Sequence, residues 1–281
     1  MTPARTSTRA TANTRARARA TQDGHAPVSM RNGRGAPRSR PQKTAMIVAQ
    51  RIVADIDRLD LGVGDRLPPE RVMLEEYAVG RGTLRESLRF LELQGVLSIK
   101  AGPGGGPVVE RPDASNLATT LVLLLQFSHG TYRTIAEARD LLEPIMAGMA
   151  AERISDASLD ELRETIAAME EGLERSGAFL EANKRFHDII AWESGNELFG
   201  LVVDALLGIL DGTALGIDYP RHRRAAIIKA HRAILRALEA HDRAGAEEAM
   251  RLHIGEYFNY AKRKFPEVLT QPVTWDSLAR A

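Results

Sequence analysis

Three histidines and one asparagine in the C-terminal half of the chain have the spacing of a metal site. His231 and His253 lie 22 residues apart, on either side of a predicted turn centred on residue 242. If two antiparallel helices flank that turn, each imidazole lies about 16 Å from it and both reach the same height. Asn183 and His187, in "NKRFHDII", are four residues apart and share one face of a third helix. A helical bundle can bring these four side chains together around a cation.

Each of these histidines alone has an ordinary alternative, a core imidazole that is hydrogen-bonded to a neighbour. The symmetric spacing of His231 and His253 favours the ligand interpretation. The chain has no cysteine, which excludes thiolate ligands and disulfides. Arg139 and Glu143 form a further i, i+4 pair that is either an intrahelical ion pair, of little energetic value if exposed, or a site where Arg139 binds the carboxylate of a ligand. His129, His222 and His241 fall at predicted helix ends and turns and receive no role.

The composition predicts a globular protein with a basic N-terminal tail. Of 281 residues, 44% are hydrophobic and 27% are charged, and no apolar run approaches membrane-spanning length. Residues 1–43 contain ten basic residues against one acidic residue and almost no large apolar side chains, so we expect a disordered tail. It is either a solvated extension or a basic arm that attracts phosphates, and an organellar transit peptide has a similar composition.

Residues 44–112 have the element order of a winged helix-turn-helix. The pattern predicts a helix over about 43–59, a second after Pro68 and Pro69, and a third over "RGTLRESLRFLELQG". Two short strand-like runs, 96–100 and 107–110, follow, joined by a glycine-rich turn. Arg81, Arg85 and Arg89 form a cationic stripe on the third helix, which either enters a DNA major groove or is a solvated face paired with Glu86 and Glu92.

Residues 113–265 have only helical periodicity. The predicted helices are 115–128, 134–153, 158–175, 177–193, 196–211, 222–241 and 244–264, with "SLDE" as a capping box at Ser158. Residues 266–281 are left as a C-terminal tail. The expected fold class is mainly α, an N-terminal winged helix-turn-helix plus a C-terminal all-α antiparallel helical bundle.

The segment "LPPERVMLEEYAVGRGTLRESLRFLELQGVLSIKAGPGGGPVV" resembles the N-terminal domain of GntR-superfamily transcriptional regulators. The resemblance implies a specific set of DNA contacts: Arg71, Arg81, Thr83, Arg85 and the wing glycines Gly104, Gly105 and Gly106. Two positions depart from the family pattern. Gly80 stands where Ser or Thr is common, so a helix cap and a phosphate contact are expected to be missing, and Met73 replaces a usual Leu.

The C-terminal half resembles the FCD ligand domain of FadR-like GntR regulators. The resemblance rests on "RDLLEP", "NKRFH" followed by "SGN", "AHRAIL" and "AMRLHI". Many members hold a divalent metal with Asp-x-x-x-His on one helix and one His on each of the last two, which implies the ligands Asn183, His187, His231 and His253 here, and Arg139 as a ligand-binding residue. Asn183 replaces Asp, so four neutral ligands leave the charge of a Zn²⁺, Ni²⁺ or Mn²⁺ ion available to an anionic effector.

These observations together predict a DNA-binding transcriptional regulator whose operator affinity is controlled by a small organic acid at a divalent-metal site. We expect a homodimer on a pseudo-palindromic operator, a cytoplasmic and nucleoid-associated location, and no membrane partner. One alternative is a metal-dependent hydrolytic enzyme fused to a DNA-binding module. Against it, the sequence places no carboxylate beside the histidines as a general base. A second alternative is a general nucleic-acid-binding protein that uses its basic tail.

Overall fold

The computed structural model describes residues 40–102, 104–210 and 219–276, all within one unit of the chain, Pro37–Ala281. The predicted disordered tail lies outside the described residues up to position 39. Its last four residues do not belong to a tail, because helix α1 already begins at Arg40. Pro41 suits this position, since a first helical turn needs no N–H from that residue.

The N-terminal part of the described chain is a winged helix-turn-helix, as the sequence predicts. Its elements are α1 (Arg40–Arg58), α2 (Glu70–Tyr77), α3 (Arg81–Leu93), β1 (Leu97–Lys100) and β2 (Gly106–Val109). The two strands are antiparallel, with Leu97 opposite Val109. Ile52 of α1 and Leu84 of α3 are fully buried against each other's helices in one apolar cluster. The Ser87 hydroxyl donates to the Ala45 carbonyl over 2.8 Å, which ties α3 to α1.

The remaining described residues form eight helices. They are α4 (Ser115–Phe127), α5 (Tyr132–Ala151), α6 (Asp156–Glu171), α7 (Ser176–Glu193), α8 (Glu197–Ile209), α9 (Arg221–Glu239), α10 (Arg243–Lys264) and α11 (Pro266–Thr270). The first seven correspond to the predicted helices with ends shifted by a few residues. Helix α6 begins two residues earlier than predicted because Ser155, not Ser158, caps it: the Ser155 hydroxyl accepts from the Ser158 N–H over 3.2 Å.

Helices α5, α7, α9 and α10 surround the centre of this bundle. Helix α10 packs along both α5 and α9, and α7 packs against α5, α6 and α8. The turn between α9 and α10 is tight: His241 has a positive φ of 49°, and the Asp242 carboxylate accepts from the Gly245 N–H over 3.0 Å as the N-cap of α10. Phe179 and Phe186 of α7 are fully buried in the main apolar cluster.

The C-terminal segment is part of the bundle up to residue 276, where the sequence predicts a tail. Leu269 in α11 and Val273 after it are fully buried, and the Val273 N–H donates to the Gly130 carbonyl over 2.9 Å. The sequence does not reveal this packing because one short helix and a single apolar residue beyond it have too little periodicity to stand out. Residues 277–281 lie outside the described part.

Candidate metal and effector site, and DNA-binding surface

Helices α7, α9 and α10 bring His187, His231 and His253 together. The Nε2 atoms of His231 and His253 are 3.1 Å apart, and those of His253 and His187 are 3.2 Å apart. Nitrogen ligands on a tetrahedral zinc ion lie about 3.3 Å from one another, given Zn–N bonds of about 2.0–2.1 Å. All three side chains are buried, at 2%, 0% and 7% exposure. The three imidazoles therefore have the mutual spacing of metal ligands, and their ligand atoms all lie within 4.8 Å.

Burial also sets the protonation state of this cluster. It lowers the pKa of His253 to about 3 and that of His231 well below its ordinary value. The positive charge of one imidazole disfavours a second beside it, which lowers both pKa values further. Neutral imidazole is the form that binds a metal, so these two side chains are ready ligands at neutral pH.

Glu143 of α5 supports His187 from behind. Its Oε2 lies 2.5 Å from His187 Nδ1, and its Oε1 accepts from Arg139 Nε over 2.5 Å. Burial raises the pKa of Glu143, but Arg139 and His187 outweigh it, and the pKa stays well below its ordinary value. A carboxylate on Nδ1 fixes the ring orientation and leaves Nε2 free for a metal. Glu143 therefore lies beside a histidine of the cluster, a contact that the sequence alone does not reveal.

This position of Glu143 makes it a positioning residue rather than a general base. Both of its oxygens are engaged, and it contacts the Nδ1 side of His187, away from the Nε2 atoms that converge. Its negative charge is also balanced by Arg139, which is equally buried. The pair therefore adds no net charge to the surroundings of the three histidines.

His231 is held in a different way. Its ring is stacked on Phe186 with centroids 3.9 Å apart and an interplanar angle of 10°. Its Nδ1 is buried and has no hydrogen-bond partner among the described residues. The orientation of this ring thus depends on packing, whereas that of His187 depends on an ionic hydrogen bond.

Asn183 and Arg139 line the same cavity as His187 and His253. Asn183 lies one helical turn before His187 on α7, as its spacing predicts. Arg139 forms the predicted intrahelical ion pair with Glu143, and both side chains are buried. Its guanidinium carbon is 5.9 Å from the Tyr257 ring centroid. Whether Asn183 binds a metal directly and whether Arg139 binds a ligand remain predictions.

The sequence did not single out Tyr257, which also lines this cavity. It follows His253 by four residues on α10, so the i, i+4 spacing on that helix was an available signal. Its ring stacks against that of Tyr219 with centroids 6.2 Å apart. The two hydroxyls are hydrogen-bonded, and burial raises the pKa of both, so both remain protonated at neutral pH.

Helices α5, α7 and α10 thus each contribute two side chains, which form two layers one helical turn apart. The inner layer, at the level of the histidines, contains Glu143, His187 and His253. The outer layer contains Arg139, Asn183 and Tyr257. The inner layer suits a cation, and the outer layer offers hydrogen-bond donors from a guanidinium, an amide and a phenol. Together they can hold an anion that also contacts a metal.

The predicted DNA contacts occupy the exposed surface of the winged helix-turn-helix. Arg81 and Arg85 lie in the first turns of α3 and are exposed, while Thr83 between them is half-buried. Arg85 Nε lies 3.3 Å from Glu70 Oε1, and Arg71 on α2 donates to Glu75 over 2.9 Å. These pairs are mostly solvent-exposed, so the arginines can exchange their glutamate partners for phosphate or base atoms at little cost.

The wing has the backbone geometry that its glycines predict. Gly104 and Gly106 have positive φ values of 76° and 137°. At Gly105 a Cβ atom would lie 2.3 Å from the Lys100 carbonyl oxygen, so this position excludes a side chain. Arg66, which the sequence did not single out, donates to the Gly104 carbonyl and connects the wing to the segment before α2. The start of α3 lacks a side-chain cap at Gly80, as expected.

Comparisons with known proteins identify both halves of the chain. The family model "Bacterial regulatory proteins, gntR family" matches residues 44–106, and the model "FCD domain" matches residues 134–256. The chain belongs to the GntR family. It is a transcriptional regulator with a DNA-binding GntR domain and an FCD ligand-binding domain.

Proteins that are similar over most of the chain agree with this family membership. The HTH-type transcriptional repressor NanR of Escherichia coli (strain K12) is 28% identical over 233 residues, which cover 81% of this chain and 88% of NanR. NanR of Edwardsiella tarda (strain FL6-60) is 27% identical and covers 77% of this chain and 85% of its own. The solved structure "Streptococcus agalactiae GntR" superimposes with a TM-score of 0.61 at 25% identity, over 76% of this chain and 99% of that one.

These relatives also decide between the expected functions. The similar proteins are transcriptional repressors, so this GntR-family chain is a regulator rather than an enzyme, and the hydrolase alternative is set aside. In the described part of the chain, every helix is too short or too polar to cross a bilayer.

Proposed function

We propose that this regulator senses a small organic acid at a divalent-metal site formed by Asn183, His187, His231 and His253. The observation that carries the proposal is the convergence of three buried Nε2 atoms beside a cavity that Arg139 also lines. His253 Nε2 lies 3.1 Å from His231 Nε2 and 3.2 Å from His187 Nε2. Imidazole-rich sites favour Zn²⁺ or Ni²⁺, and Mn²⁺ is also compatible. When bound, the metal would supply a positive charge and an open position for an oxygen of the acid.

The charge balance around the histidines supports an anionic effector. The proposed ligands are neutral, and the nearest carboxylate, Glu143, is already balanced by Arg139. A divalent cation would therefore keep its charge, which attracts a carboxylate into the cavity. The guanidinium group of Arg139 can pair with a carboxylate in two hydrogen bonds.

We further propose that the protein acts as a homodimer on a pseudo-palindromic operator, with residues 44–112 as its DNA-binding domain and 113–265 as its sensor domain. In a dimer, two α3 helices would enter major grooves one helical turn apart. The effector would shift the balance between conformations that differ in operator affinity. Binding at the operator would place the protein at the nucleoid.

A first experiment tests the metal and the coupling together. The operator is selected from a random duplex library with the purified full chain, and the metal content is measured before and after chelation. We expect about one divalent ion per chain, lost in His187→Ala and retained in His222→Ala, an exposed histidine outside the site. Retention of the metal in His187→Ala would overturn the site.

Thermodynamic reciprocity then tests the sensor. If an acid changes operator affinity by some factor, the operator must change the affinity of the acid by the same factor. Small carboxylates are screened by thermal shift, and each hit is titrated with and without operator. If chelation and every carboxylate leave both stability and operator affinity unchanged, the sensor proposal fails.

Asn183→Asp should tighten metal binding by about tenfold or more, because a carboxylate ligand adds the charge that the amide lacks. The same change should weaken binding of the acid, since less of the cation's charge remains available. The measurement is competition with a chelator of known affinity, followed by titration of the acid. Asn259→Asp, on the exposed side of α10, is the matched control. Unchanged metal affinity in Asn183→Asp would remove Asn183 from the ligand set.

A further inference from the structure

The cavity beside the three histidines is much larger than a metal ion and a two- to four-carbon acid require. Its volume is about 1000 Å³. Sites of roughly 300–1000 Å³ bury ligands of drug size. A molecule such as acetate would leave most of this space to water. The size of the cavity therefore carries information about the effector that the metal ligands do not.

Small side chains on α9 create much of this space. Ala226, Ala230 and Ala233 recur at i, i+4 and i+7, so they lie along one face of the helix, and all three line the cavity. Ala249 faces it from α10. We call the space next to Ala230 and Ala233 the alanine chamber.

Most of the surface of the cavity is apolar. Phe179 and Leu180 of α7, Leu207 and Leu210 at the end of α8, and Ile227 of α9 line it. Several charged lining residues belong to its rim, because Glu181, Lys229 and Glu256 are exposed. A mostly apolar interior does not complement a short, fully polar acid.

The cavity lining also contains polar groups. His187, His253, Asn183 and Arg139 line it, and the last of these is buried with its charge. A ligand that satisfies both kinds of lining needs a carboxylate and an apolar body. Filling the chamber with hydrocarbon gains about fourfold in affinity for each methylene removed from water.

We propose that the effector is an amphipathic carboxylic acid, with its carboxylate beside the histidines and Arg139 and an alkyl or aryl body of at least about six carbons in the alanine chamber. This inference rests on the proposed function for the position of the carboxylate. It goes beyond that function by naming the chemical class of the rest of the molecule. The apolar body, rather than the carboxylate, would distinguish this effector from the short organic acids of the cell.

A series of monocarboxylic acids tests the proposal directly. Acetate, hexanoate, octanoate and 3-phenylpropionate are titrated by calorimetry into the full-length protein loaded with Zn²⁺. We expect the affinity to rise at least tenfold from acetate to the better of octanoate and 3-phenylpropionate, since several methylenes are buried even if the fit is incomplete. The comparison of the last two acids tells an alkyl body from an aryl one. Affinity for octanoate and 3-phenylpropionate no greater than for acetate would overturn the proposal.

A chamber-filling variant locates the apolar body. Ala230→Trp places an indole in the alanine chamber, and we expect the two larger acids to bind no better than acetate. Ala225→Trp makes the same change at an exposed position of α9 and should keep the wild-type series. Zn²⁺ content and thermal unfolding confirm that each variant is folded, and Ala233→Phe replaces Ala230→Trp if the latter is not. An unchanged series in a folded chamber variant would overturn the proposal.

The same series distinguishes failure of the chamber from failure of the proposed function. If the affinity still rises with the size of the acid in chelated protein, and Ala230→Trp abolishes that rise, the results support the alanine chamber and reject the role of the metal. If acids bind only when the metal is present and their size has no effect, the results reject the alanine chamber and support the metal site.

Discussion

The two halves of this regulator place their functional charges in opposite environments. In the winged helix-turn-helix, Arg71 and Arg85 are exposed and their glutamate partners are largely solvated. In the FCD domain, Arg139 and Glu143 are almost completely buried, and their contact continues to His187. An exposed pair exchanges partners at little cost, whereas a buried charge that loses its partner has no water to replace it.

Because of this difference, we expect substitutions in the DNA-binding half to change binding without changing stability, and substitutions in the buried network of the other half to change both. The arginines that are predicted to contact DNA should control operator affinity without affecting stability. The buried network of the FCD domain should affect both binding and stability, because the side chains that position His187, a proposed metal ligand, also neutralise one another. Four substitutions test this contrast, from the largest expected effect to the smallest.

Glu143→Gln should have the largest effect. It keeps the shape of the side chain but leaves the buried Arg139 charge unbalanced, and we expect the free energy of unfolding to fall by about 3–5 kcal/mol. Because His187 also loses its ionic partner, metal affinity should fall by about 10–100-fold. Urea denaturation and chelator competition measure the two effects. Glu248→Gln is the control, because Glu248 forms an exposed ion pair with Arg251 on the same helix. It should change neither stability nor metal affinity. Equal losses in both variants would contradict the difference between buried and exposed pairs.

Arg85→Ala should reduce operator affinity by about 1–3 kcal/mol through the loss of a base contact, with Arg81→Ala similar. Neither change should alter the urea midpoint. Gel shifts on the selected operator and on a scrambled duplex separate the loss of specificity from the loss of one charge. Arg58→Ala removes the same charge from the end of α1 and should leave specificity intact. Full operator affinity in Arg85→Ala would reject the assignment of α3.

Tyr77→Phe should lower the stability of the DNA-binding domain by about 1 kcal/mol. The Tyr77 hydroxyl donates to Asp55 over 2.8 Å, and this bond, with Arg58, lowers the pKa of Asp55 below its ordinary value. The stabilisation is therefore complete above the unfolded pKa of about 4 and is lost as the pH falls through the folded value. Denaturation between pH 3 and pH 7 should show a shallower acid decline in Tyr77→Phe, and an identical decline would contradict this account.

Gly80→Ser should have the smallest effect, a gain of roughly a few tenths of a kcal/mol. Gly80 is the N-cap of α3 in an extended conformation, and a Cβ there meets no atom within 4 Å. The new hydroxyl can accept from an N–H of the first turn. Thermal unfolding detects the gain, and Gly80→Ala, which adds a Cβ without a hydroxyl at the same open position, is the comparison. An equal gain in Gly80→Ala would mean that capping is not the cause.

The sequence predicted the features that depend on spacing within one helix or across one turn. Asn183 and His187, and the level pair His231 and His253, follow from helix geometry alone. The partner of His187 could not be predicted in this way, because it depends on how α5 is rotated against α7. For the same reason Tyr257 and the alanine chamber were missed, since a cavity is defined by the distances between helices rather than by any one of them.

Most of the remaining differences between prediction and structure lie at the ends of helices, where several residues fit the same local pattern. Ser155 and Ser158 both precede an apolar periodic segment, and only the structure shows which hydroxyl is the cap. The sequence predicts α1 from about residue 43, three residues after its start at Arg40, because the apolar periodicity begins only beyond the basic tail. The burial of Leu269 and Val273 depends on contacts with α4 and α5 that are distant in sequence.

Because α9 and α10 form a helical hairpin, the histidine cluster depends on the number of residues between His231 and His253. Adding one residue to α9 between His231 and the turn would rotate that imidazole by about 100° away from its partners. Substitutions along the same stretch leave the geometry in place. We therefore expect descendants of this protein to tolerate changes of residue between the two histidines more readily than changes in their number. A single-codon deletion there would be a more severe lesion than many missense changes.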